Sequence, residues 1–216
     1  IPLRTYPIEL GMLGATAVPV VSSHELAVVD FTFNAWGEDD LPNRWDNRFG
    51  AWLAKDRDAE CLYSLLSFSA SDMVHDGSGT IVLSETSLLN PQRNPGWNKQ
   101  SIQDELRRLL GAERFVWVPG RARQSVFFID EKNAIVQLPQ ESDTEFESFL
   151  QIAGLIESAT NAAGEHYTVH TMAPSVSKHS YLDATVANGH LLMPSYGEDS
   201  DAQAEEAFRQ FLPQLR

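Results

Sequence analysis

The sequence predicts an α/β protein built by repetition of one unit: a short apolar strand, a polar loop, then an amphipathic helix. Three observations carry this. Short β-branched and aromatic runs recur along the chain, each is followed within a loop's length by apolar residues at helical spacing, and Gly, Pro and Asn clusters separate the two. Strands alternating with helices at intervals of a few dozen residues argue for an α/β repeat architecture, with a plain doubly wound sheet as the competitor.

The first unit is a strand over 26–33, a loop over 34–45 and a helix over 47–55 expected to bury Phe49, Trp52 and Leu53. The second is a strand over 80–83, a loop over 88–97 and a helix capped by Asn98. Ile102, Leu106, Leu109 and Leu110 line one face of that helix, and Gly111 is placed to end it. The third pairs a strand over 134–138 with Ser142-Asp143-Thr144-Glu145, which reads as a capping box ahead of Phe146, Phe149, Leu150, Ala153 and Ile156. The fourth is a strand over 190–193, the turn Pro194-Ser195-Tyr196-Gly197 and a helix over 201–212 that buries Ala204, Ala207, Phe208 and Phe211 before Pro213. Further strands are expected over 115–119, 125–129 and 166–172. No low-complexity linker interrupts these 216 residues, so a single domain is expected.

Composition narrows the function classes. A hydrophobic fraction of 43% is too high for a disordered chain, and no apolar run approaches bilayer length. A formal net charge of −14 argues against nucleic acid, which needs clustered Lys and Arg. Such a surface would concentrate cationic ligands such as guanidinium compounds or polyamines, or simply keep molecules apart. A single cysteine, Cys61, rules out an intrachain disulfide and fits a reducing, cytoplasmic setting, as does the lack of any Asn-x-Ser/Thr acceptor. The first residue is Ile1 rather than Met, which reads as a processed or excised chain.

Four blocks then stand out in order: Phe33-Asn34-Ala35-Trp36-Gly37 followed by Trp45-Asp46; Leu88-Leu89-Asn90-Pro91-Gln92-Arg93-Asn94-Pro95; Phe115-Val116-Trp117-Val118-Pro119-Gly120; and Asn188-Gly189-His190-Leu191-Leu192-Met193-Pro194-Ser195-Tyr196-Gly197. Together they resemble the agmatine deiminase / bacterial (Porphyromonas-type) peptidyl-arginine deiminase family, from about residue 12 to the end. The resemblance implies the pentein fold, an α/β propeller of five ββαβ-like modules around a central channel. This chain would hold a partial ring, with about two modules missing, and uncovered faces would invite homo-oligomers. It also implies hydrolysis of a guanidinium to a ureido group with release of ammonia, feeding putrescine and polyamine synthesis without a cofactor or metal. In that chemistry a Cys thiolate attacks the guanidinium carbon, a His moves protons and two acidic groups grip the planar cation.

The chain departs from the family where that chemistry would sit. The family's Arg-Asp pair becomes Ala15-Thr16. Its Glu-Gly-Gly becomes Ser69-Ala70-Ser71, although Asp76-Gly77-Ser78-Gly79-Thr80 is kept. Its Gly-His-x-Asp aligns with Gly120-Arg121-Ala122-Arg123, which puts two cations where a base and an acid belong, and its nucleophilic Cys lies beyond the last helix. Two cations and no acid would repel a guanidinium, so impaired or absent catalysis is expected. Asn34, Trp36 and Asp46 would line the channel, or else pack in the core and cap a helix. A pseudoenzyme that holds a small anion on Arg121 and Arg123, or a protein partner, is the alternative.

The remaining candidates have plainer readings. Cys61 lies in an apolar run with no His nearby in sequence and reads as a structural thiol. His166 and His170 would share one face of a strand, without the further ligands of a metal site. His75-Asp76 and the glycines after it read as a hairpin turn rather than an acid–base pair or a phosphate loop.

Overall fold

The computed structural model describes residues 17–22, 25–37 and 46–215. In chain order the first elements are β1 (Ala17–Ser22), β2 (Glu25–Thr32), α1 (Phe49–Asp56), β3 (Glu60–Ser67), β4 (Met73–His75), β5 (Thr80–Ser84), α2 (Glu85–Leu88) and α3 (Lys99–Leu110). Then follow β6 (Arg114–Val118), α4 (Ala122–Ser125), β7 (Val126–Phe128), β8 (Asn133–Gln137), α5 (Phe146–Ser158), β9 (Thr168–Met172), β10 (Thr185–Ala187), β11 (His190–Leu192) and α6 (Ser200–Phe211).

One pattern occurs three times: an antiparallel pair, a helical crossover, and a third strand parallel to the second. It gives the sheets β1-β2-β3, β4-β5-β6 and β7-β8-β9. A parallel partner needs a long crossover, whereas an antiparallel one needs only a turn, so ββαβ is the natural wording of each sheet. The fourth pair, β10 with β11, turns tightly at Asn188-Gly189, both in the left-handed region (φ 51° and 77°). α6 follows it, and no parallel third strand is present among the described residues.

The chain divides into two compact units, Ile1–Asp72 with Glu85–Ala112 and Met73–Ser84 with Glu113–Arg216. In the first, Ala27, Val28, Val29 and Phe31 of β2 are all buried, so both faces of this strand are covered. Phe31 packs on Phe68 at 4.6 Å between ring centroids. α1 lies over Val28 and Cys61 but buries Gly50 and Ala54, while Phe49, Trp52 and Leu53 are only half-buried. The expected face is thus corrected, because the carboxylate of Asp30 occupies the near side of the helix. A Cβ at Gly50 would come within 2.1 Å of Asp30 Oδ1. α3 forms as the sequence predicts: Asn98 Oδ1 accepts from Ser101 N, Ser101 Oγ accepts from Asn98 N, and Gly111 ends it at φ 69°. Ile102, Leu106 and Leu109 are its buried stripe.

In the second unit, Val82, Val118, Val126, Val136, Ile152 and Ile156 form one core cluster, and Ile135, Tyr181, Leu182, Ala204 and Phe208 belong to another. The capping box expected at Ser142-Asp143-Thr144-Glu145 does not form. Those residues fold as turns, Phe146 N donates to Asp143 O, and the N-cap Glu145 makes no side-chain cap bond. The helix starts three residues later than the box requires, so Glu145 stands at the N-cap itself rather than at the third helical position, and Asp143 pairs separately with Lys178, 35 residues distant. The buried face of α5 accordingly runs through Ile152 and Ile156, leaving Leu150 exposed. No helix among the described residues is long and apolar enough to cross a membrane.

Candidate functional site

Residues 33–37 leave β2 in a tight turn. Ala35, Trp36 and Gly37 all adopt positive φ (51°, 58° and 89°), and Gly37 N donates to Asn34 O at 3.0 Å. Left-handed backbone at two successive non-glycine residues costs about 1–2 kcal/mol each and persists only where surroundings over-determine it. Here the surroundings are residues 90–95. Asn34 Nδ2 donates to Arg93 O at 2.7 Å, and a Cβ on Gly37 would meet Arg93 N and Gln92 C at 3.0 Å. The Phe-Asn-Ala-Trp-Gly and Asn-Pro-Gln-Arg-Asn-Pro blocks are therefore the two sides of one backbone contact. The end of β3 completes it: Ser67 Oγ donates to Asn34 Oδ1 at 2.6 Å, while Asn94 accepts from Ser67 N and donates to Ser67 O and Leu88 O.

Behind this contact lies a buried ion pair. Arg93 Nη2 and Nη1 donate to Asp72 Oδ2 and Oδ1 at 2.6 and 3.0 Å, with side-chain exposures of 5% and 3%. Asp72 Oδ2 also accepts from Ser69 N and Ser69 Oγ, at 2.7 and 2.8 Å, and Asp72 Oδ1 from Ser87 Oγ. Both oxygens of this carboxylate are thereby engaged, and Ser69 serves to hold it.

Of the sequence-predicted channel residues, Asn34 spends its side chain on the Arg93 carbonyl and the Ser67 hydroxyl. Trp36 is half-buried, edge-on to Phe33 at 5.1 Å between centroids. Asp46 opens a short 3-10 turn and its side chain lies outside the described set; the neighbouring Asn47 accepts from Phe33 N at 2.6 Å. Ala15 and Thr16 lie outside the described residues.

Cys61 and Tyr63 lie two residues apart on β3, which pairs with β2 so that Cys61 stands opposite Val28 and Tyr63 opposite Asp30. Burial pushes the Cys61 thiol above its usual range, and the Asp30 charge adds to that, so this thiol is held protonated rather than activated. Asp30 is itself pushed up to about 6 by burial, offset in part by a backbone hydrogen bond from Ala51.

In the second unit, Arg121 is exposed and Arg123 is half-buried. The expectation of two uncompensated cations is corrected at Arg123, whose Nε donates to Asp183 Oδ1 at 2.6 Å and whose Nη2 donates to Thr185 Oγ1 at 2.6 Å. Asp76 is a turn residue: its Oδ1 accepts from Ser78 N and Thr80 N, its Oδ2 from Tyr167 OH, and these bonds outweigh burial to lower its pKa. His166 bonds Ala159 O and His170 bonds Asn133 Oδ1. No group of three His, Cys, Asp or Glu side chains able to hold a metal occurs among the described residues.

Sequence reasoning missed Asp72, Asp183 and the role of Arg93. Arg93 stood inside a recognised block, which was signal enough to ask what carboxylate it meets. Asp72 and Asp183 carried no local signal.

Comparison with known proteins places this geometry. The profile of the Porphyromonas-type peptidyl-arginine deiminase family matches residues 13–216. A candidate agmatine deiminase of Streptomyces avermitilis is 26% identical over 215 residues, covering 88% of this chain and 62% of that protein. The chain thus spans about three fifths of the length of the curated relatives it matches. Among solved structures, the agmatine deiminase of Enterococcus faecalis superposes with a TM-score of 0.88 at 20% identity, over 95% of this chain and 68% of that one. A substrate-bound C. jejuni agmatine deiminase gives 0.85 at 19%, over 100% and 68%. The expected pentein-type α/β fold is the fold observed.

Proposed function

The chain belongs to the Porphyromonas-type peptidyl-arginine deiminase family, and from that premise we propose that it keeps a guanidinium-hydrolase fold without carrying out guanidinium hydrolysis itself. One observation supports this above the others. The carboxylate nearest the family's glutamate position, Asp72, has both oxygens committed to the buried Arg93. A committed carboxylate cannot also receive the fork of an incoming guanidinium. Cys61 lies on a strand where burial pushes its thiol above the usual range, and a thiol so shifted is a poor nucleophile.

A small guanidinium compound is the ligand class of the family, a C. jejuni agmatine deiminase having been solved with its substrate bound, and this reading has that binding lost here. The competing reading, an anion held by Arg121 and Arg123, is weakened because Arg123 already has Asp183 as its partner. The test is ammonia release from agmatine and from a peptidyl arginine. The expected result is no release above the blank, and no change on Cys61→Ser. Release that Cys61→Ser abolishes would overturn the proposal.

A further inference from the structure

Asn188 and Gly189 make the only Asn-Gly pair in the chain, at the tip of the β10–β11 ribbon. Both are exposed, with φ of 51° and 77°. Among the described residues, neither the Asn188 side chain nor the Gly189 N–H has a hydrogen-bond partner. A Cβ built on Gly189 would meet nothing within 4 Å beyond its chain neighbours. A free side-chain amide, an unshielded backbone N–H and solvent thus meet at one turn. We propose that Asn188 is a self-modification site, converting through a succinimide to aspartate and isoaspartate with water as the co-reactant.

The fold singles this asparagine out. Asp76 also precedes a glycine, but its carboxylate accepts from Ser78 N, Thr80 N and Tyr167 OH and is not free to turn on the Gly77 nitrogen. Asn90 and Asn94 precede prolines, which have no N–H to supply the nucleophile. Asn161 accepts from Glu165 N and donates to Glu131 O. The ribbon that carries Asn188 rests on three register pairs, Thr185↔Leu192, Val186↔Leu191 and Ala187↔His190, with no third strand among the described residues. Val186 and Leu192 are exposed. A two-stranded ribbon without further cover is marginally stable in water, so its turn opens at little cost. Opening also releases Asn188 from left-handed backbone, which is unfavourable for a non-glycine residue, and lets its Cγ reach the Gly189 nitrogen.

In the step itself, Gly189 N gives its proton to hydroxide and attacks Asn188 Cγ. The N–Cγ bond forms, the Cγ–Nδ2 bond breaks, and Nδ2 takes a proton from water and leaves as ammonia. Water then opens the succinimide at one of its two carbonyls. Opening at Cγ restores the main chain with an aspartate; opening at the main-chain carbonyl leaves isoaspartate, with an extra carbon in the backbone. Either product adds negative charge to a chain already at −14. Isoaspartate also lengthens the turn, so the Ala187↔His190 pairing that a two-residue loop imposes is lost.

The test incubates the folded chain at pH 6 and pH 8 in water labelled with heavy oxygen, then weighs the peptide that holds Asn188. The expected result is a labelled acid at Asn188, with isoaspartate detected by an isoaspartyl methyltransferase. Conversion should be about tenfold or more faster at pH 8, because the deprotonated amide is the nucleophile. Asn188→Gly, which tolerates the left-handed turn, should take up no label in this peptide. Converted chains should lose hydrogen-exchange protection along the ribbon. The proposal is overturned if Asn188 stays intact in the folded chain while a urea-unfolded chain converts, or if conversion is the same at both pH values. Ammonia from this source appears without agmatine and at most once per chain, which separates it from guanidinium turnover.

Discussion

Asp72 and Arg93 decide the character of the first unit. Two charges almost wholly removed from water are tolerable because they pair with each other and because Ser69 and Ser87 donate to the carboxylate as well, although Arg93 Nε is left buried without an acceptor. Removing one partner leaves the other stranded. Asp72→Ala should therefore cost about 3–5 kcal/mol of unfolding free energy in urea titrations. Adding Arg93→Met should return part of that loss, and a double variant as unstable as the single one would sink this account. Asp30 makes a second residue-level prediction. Its folded value of about 6 lies above the unfolded carboxylate range, so the fold prefers the protonated acid. Its contribution is complete below the unfolded pKa and is lost as pH rises through about 6. Asp30→Asn should match the parent near pH 4 and be more stable at pH 8, by about 3 kcal/mol at most. Identical pH profiles for the two chains would show that Asp30 is not the group responsible.

At the scale of elements, caps and close approaches explain more than propensity. α3 is polar on average yet well formed, because Asn98 and Ser101 satisfy each other reciprocally at its start and Gly111 takes the left-handed residue at its end. Asn98→Ala should lower stability by about 1 kcal/mol, read from the thermal midpoint, with Asn98→Ser restoring most of it. An Ala variant as stable as the parent would mean that packing of Ile102, Leu106 and Leu109 alone suffices. α1 shows the opposite control: Gly50 lets the helix settle on Asp30, and the larger apolar side chains are displaced to the rim.

For the whole molecule, the repeated ββαβ wording ties the helical crossovers to the parallel strand pairs, and the Asn34 contact with Arg93 links the first module to the loop after β5 within the first unit. In the family these modules frame guanidinium chemistry. In this chain two carboxylates face arginines of its own, Asp72 with Arg93 and Asp183 with Arg123. The ammonia assay asks directly whether guanidinium bonds break in this chain.

Much was legible from sequence because it is local. Strand runs, helical spacing, the Asn98 and Gly111 caps and the Asp76-Gly77 turn depend on residues a few positions apart; the four ordered blocks identified the family and marked Asn34, Trp36 and Asp46, and the departures from its pattern marked Ser69, Arg121 and Arg123. What lay beyond reach was set by pairings across 21 residues for Arg93 with Asp72, 35 for Lys178 with Asp143 and 60 for Arg123 with Asp183. The first committed a buried carboxylate, the second tied the turn ahead of α5 to a distant loop and the third neutralised a predicted cation. Charges pair according to distance in space, and no periodicity along the chain encodes that distance. Only the folded chain could say which arginine each carboxylate serves.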